Sequence, residues 1–306
     1  MTRAVRYAGR ALAVVVGLVV LGALWEGYKA WGPERGAKVL GVPLLPRTDD
    51  TAMPHLSAIW KVFGDDDGGG AQKAITFGPK QDSPSVLHGI LVACGHTLVW
   101  AAVGFAIGVV VGVLLSLVME RFGLAERALL PYVVLSQTVP LIALTPVLQQ
   151  WGHHVHVGPW DWTNATSIEL IAAYLAFFPV SVGMLRGLKS PSAVHADYFA
   201  SAAAGWWSTL LRLKLPAAVR YLVPSLRLAA AASVVGAIVA EISLGQGSVG
   251  QATGIGSRIW QYTQQSEAAR LYASVAAAAA LGLVAAAAIT LVDLALWRYH
   301  RTGARA

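Results

Sequence analysis

Charge is scarce in this chain: of its 306 residues only 13% are Asp, Glu, Lys or Arg, where a soluble domain carries about 25%. A water-soluble globule is thereby excluded. Cysteine is nearly missing as well. Cys94 stands alone, so an intrachain disulfide and a cysteine zinc site are impossible, and the residue reads as small packing. The phosphate-cradling pattern Gly-x4-Gly-Lys-Ser/Thr does not occur, so the chain has no P-loop with which to hold ATP. Neither His-Glu-x-x-His nor Gly-x-Ser-x-Gly occurs, and no acid pair falls inside an apolar run; these are the residues a membrane-embedded enzyme would need. No catalytic residue, metal or cofactor is expected.

A net charge of +7 and a pI near 9.7 raise nucleic acid as a partner, but the basic residues scatter over loops without an aromatic-interleaved patch or a finger motif. No nucleic acid is expected. What the chain has in plenty is apolar sequence, 56% of residues with a mean hydropathy of +0.58. It is gathered in runs of the ~20 residues that cross a lipid bilayer. The reading is an all-α integral membrane protein with six transmembrane helices, at residues 11–31, 98–119, 129–151, 168–185, 221–242 and 271–297. Thirteen Lys and Arg fall in or beside the segments 1–10, 120–127, 186–220 and 298–306; nine lie on the other side, seven of them in the long 29–80 stretch. Basic short loops stay in the cytoplasm, which places both termini there.

Arg3, Arg6 and Arg10 ahead of an apolar run have the form of a signal peptide as well as of a first span. The run continues past Glu26 to Trp31 and no small-x-small cleavage site follows directly. An uncleaved N-terminal helix over 1–31 is therefore expected, with Glu26 reaching the outer interface. Residues 32–87 read as a proline-rich extracytoplasmic segment; apolar residues at 56, 59, 60 and 63 place a short amphipathic helix at 55–63. Asp65-Asp66-Asp67 lacks the alternating ligands and distal Glu of a calcium loop and reads as a solvated turn. His153, His154 and His156 invite zinc, but neighbouring positions point apart and a fourth ligand is not obvious, so no metal site is expected there.

Gly104, Gly108 and Gly112 recur at spacing four on the second span, a face on which another helix can approach closely. Pro131, Pro140 and Pro146 should kink or break the third span, as happens in helices that line a pathway. The fourth should break near Pro179. Arg227 is expected near the inner end of the fifth span and Glu241 at its outer end. Asp293 is expected to be solvated or paired with a terminal arginine.

The stretch 197–216, Asp-Tyr-Phe-Ala-Ser-Ala-Ala-Ala-Gly-Trp-Trp-Ser-Thr-Leu-Leu-Arg-Leu-Lys-Leu-Pro, lies between two apolar segments. Its alanines favour helix, Gly205 permits a sharp turn, and Ser208 can cap a second short helix that stops by Pro216. Arg186, Lys189, Arg212, Lys214 and Arg220 surround it. The stretch resembles the cytoplasmic Glu-Ala-Ala loop of binding-protein-dependent ABC importer permeases: Glu-Ala-Ala, three residues, Gly, nine residues, an aliphatic residue, any residue, Leu-Pro. Counting back from Leu215-Pro216 puts Leu213 at the aliphatic place, Ala203 at the glycine place, and Asp197-Tyr198-Phe199 at the Glu-Ala-Ala place. Gly205 lies two residues beyond the family's glycine. Segments at 138–148, 177–180, 216–218, 224–229 and 234–241 are similar in order to the sulfonate, taurine, nitrate and pyrimidine-precursor branch of these permeases.

The resemblance covers roughly residues 88–297 and implies the type I ABC importer permease fold, with a permease core at 88–297, a coupling loop at 186–220 and a cytoplasmic tail at 298–306. It makes the coupling loop, with Asp197, Ser201, Ala203, Gly205, Trp207, Leu213, Leu215 and Pro216, the docking element for a separate pair of ATP-binding subunits. It also implies a solute-binding protein on the outer face, a second permease copy forming a homodimer, and a bacterial inner membrane. Gly245 to Gly250 matches Gly-x-Gly-x-x-Gly formally, but no strand precedes it; the resemblance makes it the outer turn between the last two spans. The function expected is a permease subunit passing a small polar or anionic solute. An ion-coupled secondary transporter is the alternative; it would need ionisable residues near the bilayer midplane and often internal repeats, and the sequence shows neither.

Overall fold

The computed structural model describes residues 3–34, 36–39, 42–65, 85–152, 154–157, 160–245 and 254–303. The expected turn at Asp66, Asp67 and the glycines after them, His153, and the glycine motif beyond Gly245 lie outside the described residues. So do the last three residues of the expected tail. The chain divides into two compact units, residues 1–90 with 261–275, and residues 91–260 with 276–306.

The smaller unit contains helix α1 (Arg3–Trp31), a short antiparallel ladder of β1 (Ala37–Val39) and β2 (Val42–Leu45), and helix α2 (Leu56–Lys61) continued by a 3-10 turn at Val62–Gly64. The loop from Pro46 to Leu56 wraps the end of α1 because that helix offers a row of polar tips. Trp25 Nε1 donates to Pro54 O at 3.0 Å, Tyr28 OH to Pro46 O at 3.0 Å, and Lys29 Nζ to Thr48 O at 3.0 Å and Asp50 Oδ1 at 2.8 Å. The Lys29 ammonium holds the Asp50 carboxyl below the usual carboxylate range through this hydrogen bond and its charge. Glu26 does not simply reach toward water; it accepts from Leu56 N at 2.7 Å and faces His55 Nδ1 at 2.8 Å, so its carboxylate sits at the N-terminus of α2.

Among its described residues the larger unit is made of helices and turns apart from a two-residue ladder of β3 (His156–Val157) and β4 (Trp160–Asp161). Four helices in the described chain are long and apolar enough to cross a membrane: α3 (Val86–Arg121), α6 (Asn164–Leu188), the continuous stretch Trp206–Gly245, and α11 (Ala268–Gly303) over Ala268–Leu294. A bent pair, α4 (Gly123–Leu135) with its 3-10 end and α5 (Leu141–Gly152), makes a fifth. The first of the six expected spans coincides with α1, a 29-residue helix.

The break in the third span falls at Val139-Pro140, where the axis turns by 103°, while Pro131 and Pro146 are accommodated inside α4 and α5. Carbonyls freed near the break find side chains: Ser136 Oγ donates to Val133 O at 2.8 Å, Thr138 Oγ1 to Leu135 O at 2.7 Å, and Tyr174 OH to Ser136 O. The expected break at Pro179 is absent. α6 runs through it, with Pro179 buried; a transmembrane helix tolerates proline where neighbouring helices pack against it.

Small residues set the packing. A Cβ on Gly108 would lie 2.7 Å from Ala176 Cβ and 2.8 Å from Ala173 O; Gly104 and Gly112 meet Ala172 and Phe177 O just as closely. The face of α3 carrying these glycines therefore lies against α6 of the same chain. α6 in turn packs along α9 (Leu215–Gly245), where a Cβ on Gly187 would be 2.7 Å from Ala218 Cα and one on Gly236 3.0 Å from Ala172 Cα. Ile171, Ala172, Val234, Ala237 and Ala240 form the core between them. In lipid, close van der Waals packing of this kind holds helices together.

Candidate functional site

α6 ends at Leu188, with Lys189 as its C-cap, and the chain leaves the spans as helix α7 (Ala193–Ser201). None of the residues of α7 is buried; Asp197 and Ser201 are exposed, and Val194 and Tyr198, one turn apart, are 76% and 70% exposed. The helix ends in a hydrogen-bond pair that closes its last turn: Ala203 N donates to Ala200 O at 3.0 Å and Ala204 N to Phe199 O at 3.0 Å. That six-to-one and five-to-two pattern requires a left-handed residue after the C-cap, usually glycine. Ala203 fills it, with φ 49°.

Three expectations are corrected here. Gly205 is not the turn: its φ of −65° and ψ of 163° are ordinary, and it stands as N-cap of the short helix α8 (Trp206–Thr209). Ser208 lies within α8 rather than capping it. Nor does Pro216 stop a helix. The backbone runs from α8 through a π turn at Leu210–Lys214 into α9, with Pro216 exposed as its second residue. A proline ring clashes with the carbonyl four residues back, here that of Arg212, and a wider turn at that point lets the helix continue.

Trp207 is 68% exposed, on the same stretch as Val194 and Tyr198. Leu213 instead lines a groove of about 470 Å³ beneath α7, together with Phe199, Ala200, Leu188 and Pro191. Leu215 packs on the small core of Met184, Leu188, Leu210 and Ala218. Of the residues singled out in the sequence, Asp197, Ser201 and Trp207 thus remain free to meet another surface. Leu213 and Leu215 hold the segment to the spans.

Charged groups fasten the segment at both ends. Lys189 pairs with Glu126 of α4, and Lys214 with Glu120 at the end of α3. Trp206 Nε1 donates to the other Glu120 oxygen at 3.3 Å, and the Arg121 guanidinium lies 5.3 Å from the Trp206 ring centre.

Polar residues inside the spans form two further groups. Glu241, expected at an outer surface, is 1% exposed. Its carboxylate accepts from Thr97 Oγ1 at 2.7 Å and Gly256 N at 2.6 Å, while Thr97 Oγ1 accepts from Ile255 N at 3.0 Å. It thereby caps helix α10 (Ile255–Gln264), which falls between the expected outer turn at 245–250 and the span expected from Leu271. Ile255, Ile259 and Tyr262 carry the helical spacing that could have revealed it. A Cβ on Gly254 would lie 2.4 Å from the Glu241 carboxylate, so the approach depends on that glycine. Arg227 Nη2, in turn, meets Asp293 Oδ2 at 2.8 Å, joining α9 to α11. Asp293 is thus paired with a residue of another span rather than with a terminal arginine.

The family of binding-protein-dependent transport system inner membrane components matches residues 104–298, which include α7, the bent pair and Glu241 but not its partner Thr97. The chain belongs to this family. It is 30% identical over 205 residues to the formylaminopyrimidine transport permease protein ThiX of Halalkalibacterium halodurans, covering 66% of this chain and 76% of ThiX. It is 26% identical over 202 residues to the putative aliphatic sulfonates transport permease protein SsuC of Bacillus subtilis, with 66% and 68% covered. A riboflavin transport system permease protein, RibX of Chloroflexus aurantiacus, is 26% identical over 125 residues, 41% of this chain and 43% of RibX. As a member of this permease family the protein is a multi-pass membrane subunit of an ABC importer. The sulfonate and pyrimidine-precursor branch that the segments at 138–148, 177–180, 216–218, 224–229 and 234–241 resemble is the branch of ThiX and SsuC.

Proposed function

We propose that the chain forms, with a second identical copy, the translocation pathway of an ATP-driven importer, and that the 186–220 segment faces the cytoplasm and docks on a separate pair of ATP-binding subunits. The observation that carries this reading is α7, a helix outside the spans with no buried residue and with Val194 and Tyr198 exposed one turn apart. An apolar stripe left uncovered on a projecting helix suits insertion into a groove of a partner. The surplus of Lys and Arg on this side supports the orientation, with both termini inside. A solute-binding protein delivers the cargo to the opposite face, and the names of the relatives favour a small polar or anionic solute, heterocyclic or sulfonated.

ATP-driven closure of the partner subunits displaces α7. Because α8, the π turn and α9 are one continuous stretch from Trp206 to Gly245, about 60 Å at 1.5 Å per residue, displacement at one end tilts the whole helix. The packed seam with α6 moves with it. Two packed arrangements, open to one side or the other, are the form such rocking takes.

Single cysteines at Ser201 and Trp207 in a Cys94→Ala background test the reading. They are expected to cross-link to the ATP-binding subunit in purified membranes and to resist an impermeant thiol reagent in intact cells. Labelling of both positions from outside, with no cross-link, would reverse the orientation and remove the docking role.

A further inference from the structure

We propose that the elbow between α3 and α4 is the arm through which displacement of the coupling segment reaches the bent α4–α5 pair, and that Glu120 is its positioning residue. This rests on the docking role of α7 given above.

No residue of α7 is buried, and its Phe199 and Ala200 face Leu188 and Leu213 across a groove; the polar links that fasten the segment lie at its two ends. Both ends are gripped by one elbow. α3 stops at Arg121 and α4 starts at Gly123, with only the extended Phe122 between them. Glu120, on the α3 side, holds Lys214 with one carboxylate oxygen and the Trp206 indole N–H with the other. Glu126, on the α4 side, holds Lys189 at the opposite end of the coupling segment. Arg121 covers the face of the same Trp206 ring.

Two features make Glu120 the decisive member. Its side chain is 5% exposed, against 24% for Glu126, so its charge is sheltered from water and both donors matter more to it. And Trp206 is the first residue of the continuous helix that becomes α9, so Glu120 holds α9 at its root. The other spans linked to the segment have no such freedom: α3 lies on α6, and α6 on α9, through glycine seams in which a Cβ would already clash. Close seams of that kind move as a block. Polar grips can shift without opening a void: Glu126 holds α4 itself, Glu120 holds the α3 end of the elbow three residues before α4 begins, and α4 leads to the 103° bend at residues 139–140. Backbone of that irregular kind at membrane depth is tolerated where it lines a cavity. Thus the elbow links the driven helix to the segment best suited to line the pathway.

The test uses the permease assembled with its ATP-binding subunits in liposomes. Spin labels at the exposed positions Leu124 on α4 and Leu228 on α9 report their separation with and without ATP plus orthovanadate. A cysteine at Tyr198, cross-linked to the ATP-binding subunit in parallel samples, reports docking. In the unaltered permease, the separation is expected to change on trapping. Glu120→Lys should keep the cross-link and basal ATP hydrolysis but lose the change in separation. The exchanged pair Glu120→Lys with Lys214→Glu should restore it, and Glu120→Asp should keep most of it; a merely structural role predicts neither rescue. If Glu120→Lys does not assemble, Glu120→Gln, which keeps an acceptor for Trp206, reads the same loss in part. A docked Glu120→Lys complex with an unchanged shift on trapping overturns the proposal. Absence of the Tyr198 cross-link in the unaltered complex instead overturns the docking role of α7, whatever the labels report.

Discussion

Replacing Ala203 by glycine is expected to stabilise the protein, against the usual sign of such a change. At φ 49° an L-residue crowds its Cβ against the following carbonyl, which costs about 1–2 kcal/mol. Glycine removes that cost but gains freedom in the unfolded chain, worth about 0.4–1 kcal/mol in the other direction. The balance favours glycine by roughly 1 kcal/mol, equivalent to about 2–4 °C of midpoint in a domain of 150–250 residues. Ala203 is exposed, so lost packing does not obscure the effect. Ala203→Val should move the other way, because a β-branched residue at positive φ is a genuine outlier. Ala203→Asn should fall between them, since asparagine tolerates the left-handed region. Gly205→Ser serves as control: φ is −65° there, a Cβ would meet nothing within 4 Å, and serine is a good N-cap. Thermal scans of the detergent-solubilised permease at one fixed rate give the ranking, since membrane proteins of this size unfold irreversibly. A lower midpoint for Ala203→Gly, or no loss for Ala203→Val, would refute the left-handed turn at 203. Damage from Gly205→Ser would return the turn to Gly205.

Gly108→Leu should part α3 from α6 and abolish recovery of monodisperse protein in detergent, with Gly108→Ala already costing about 1–3 kcal/mol by overpacking; size-exclusion profiles and thermal midpoints check both. Glu241→Ala leaves the N–H of Gly256 without its acceptor, a cost of about 1–3 kcal/mol, while the Thr97 hydroxyl keeps Ala93 O at 3.1 Å as an acceptor. Glu241→Gln should lose less, and hydrogen exchange at residues 255–257 should quicken in the order Ala, Gln, unaltered protein. Asp293→Ala strands Arg227 within the span and should lower the yield of folded protein, whereas the double change Arg227→Leu with Asp293→Leu should recover it, because removing both charges costs less than leaving one unpaired.

The sequence by itself determined the solvent and the helical class, because lipid demands long uncharged helices and composition records that demand directly; of the six expected spans, four single helices and one bent pair in the described chain are long and apolar enough to cross. It also located the projecting segment, but read its turn at Gly205; the left-handed residue is Ala203, which the register counted from Leu215-Pro216 puts at the family's glycine place. Glycines at 104, 108 and 112 announced a close approach but not its partner; only tertiary structure names α6. Proline was the least decisive signal. Pro140 breaks its helix, while Pro179 and Pro216 do not, since the outcome depends on whether neighbouring helices, side chains or a wider turn can absorb the missing bond. The charged residues of the spans show the same limit. Glu241, Asp293 and Glu120 are acids of similar local context, yet one caps a helix, one pairs with a cation across two spans, and one grips an indole and an ammonium. Sequence can say that a carboxylate within or beside lipid must find a partner; which donor lies within 3 Å depends on residues up to 144 positions away, and only the packed chain brings them together.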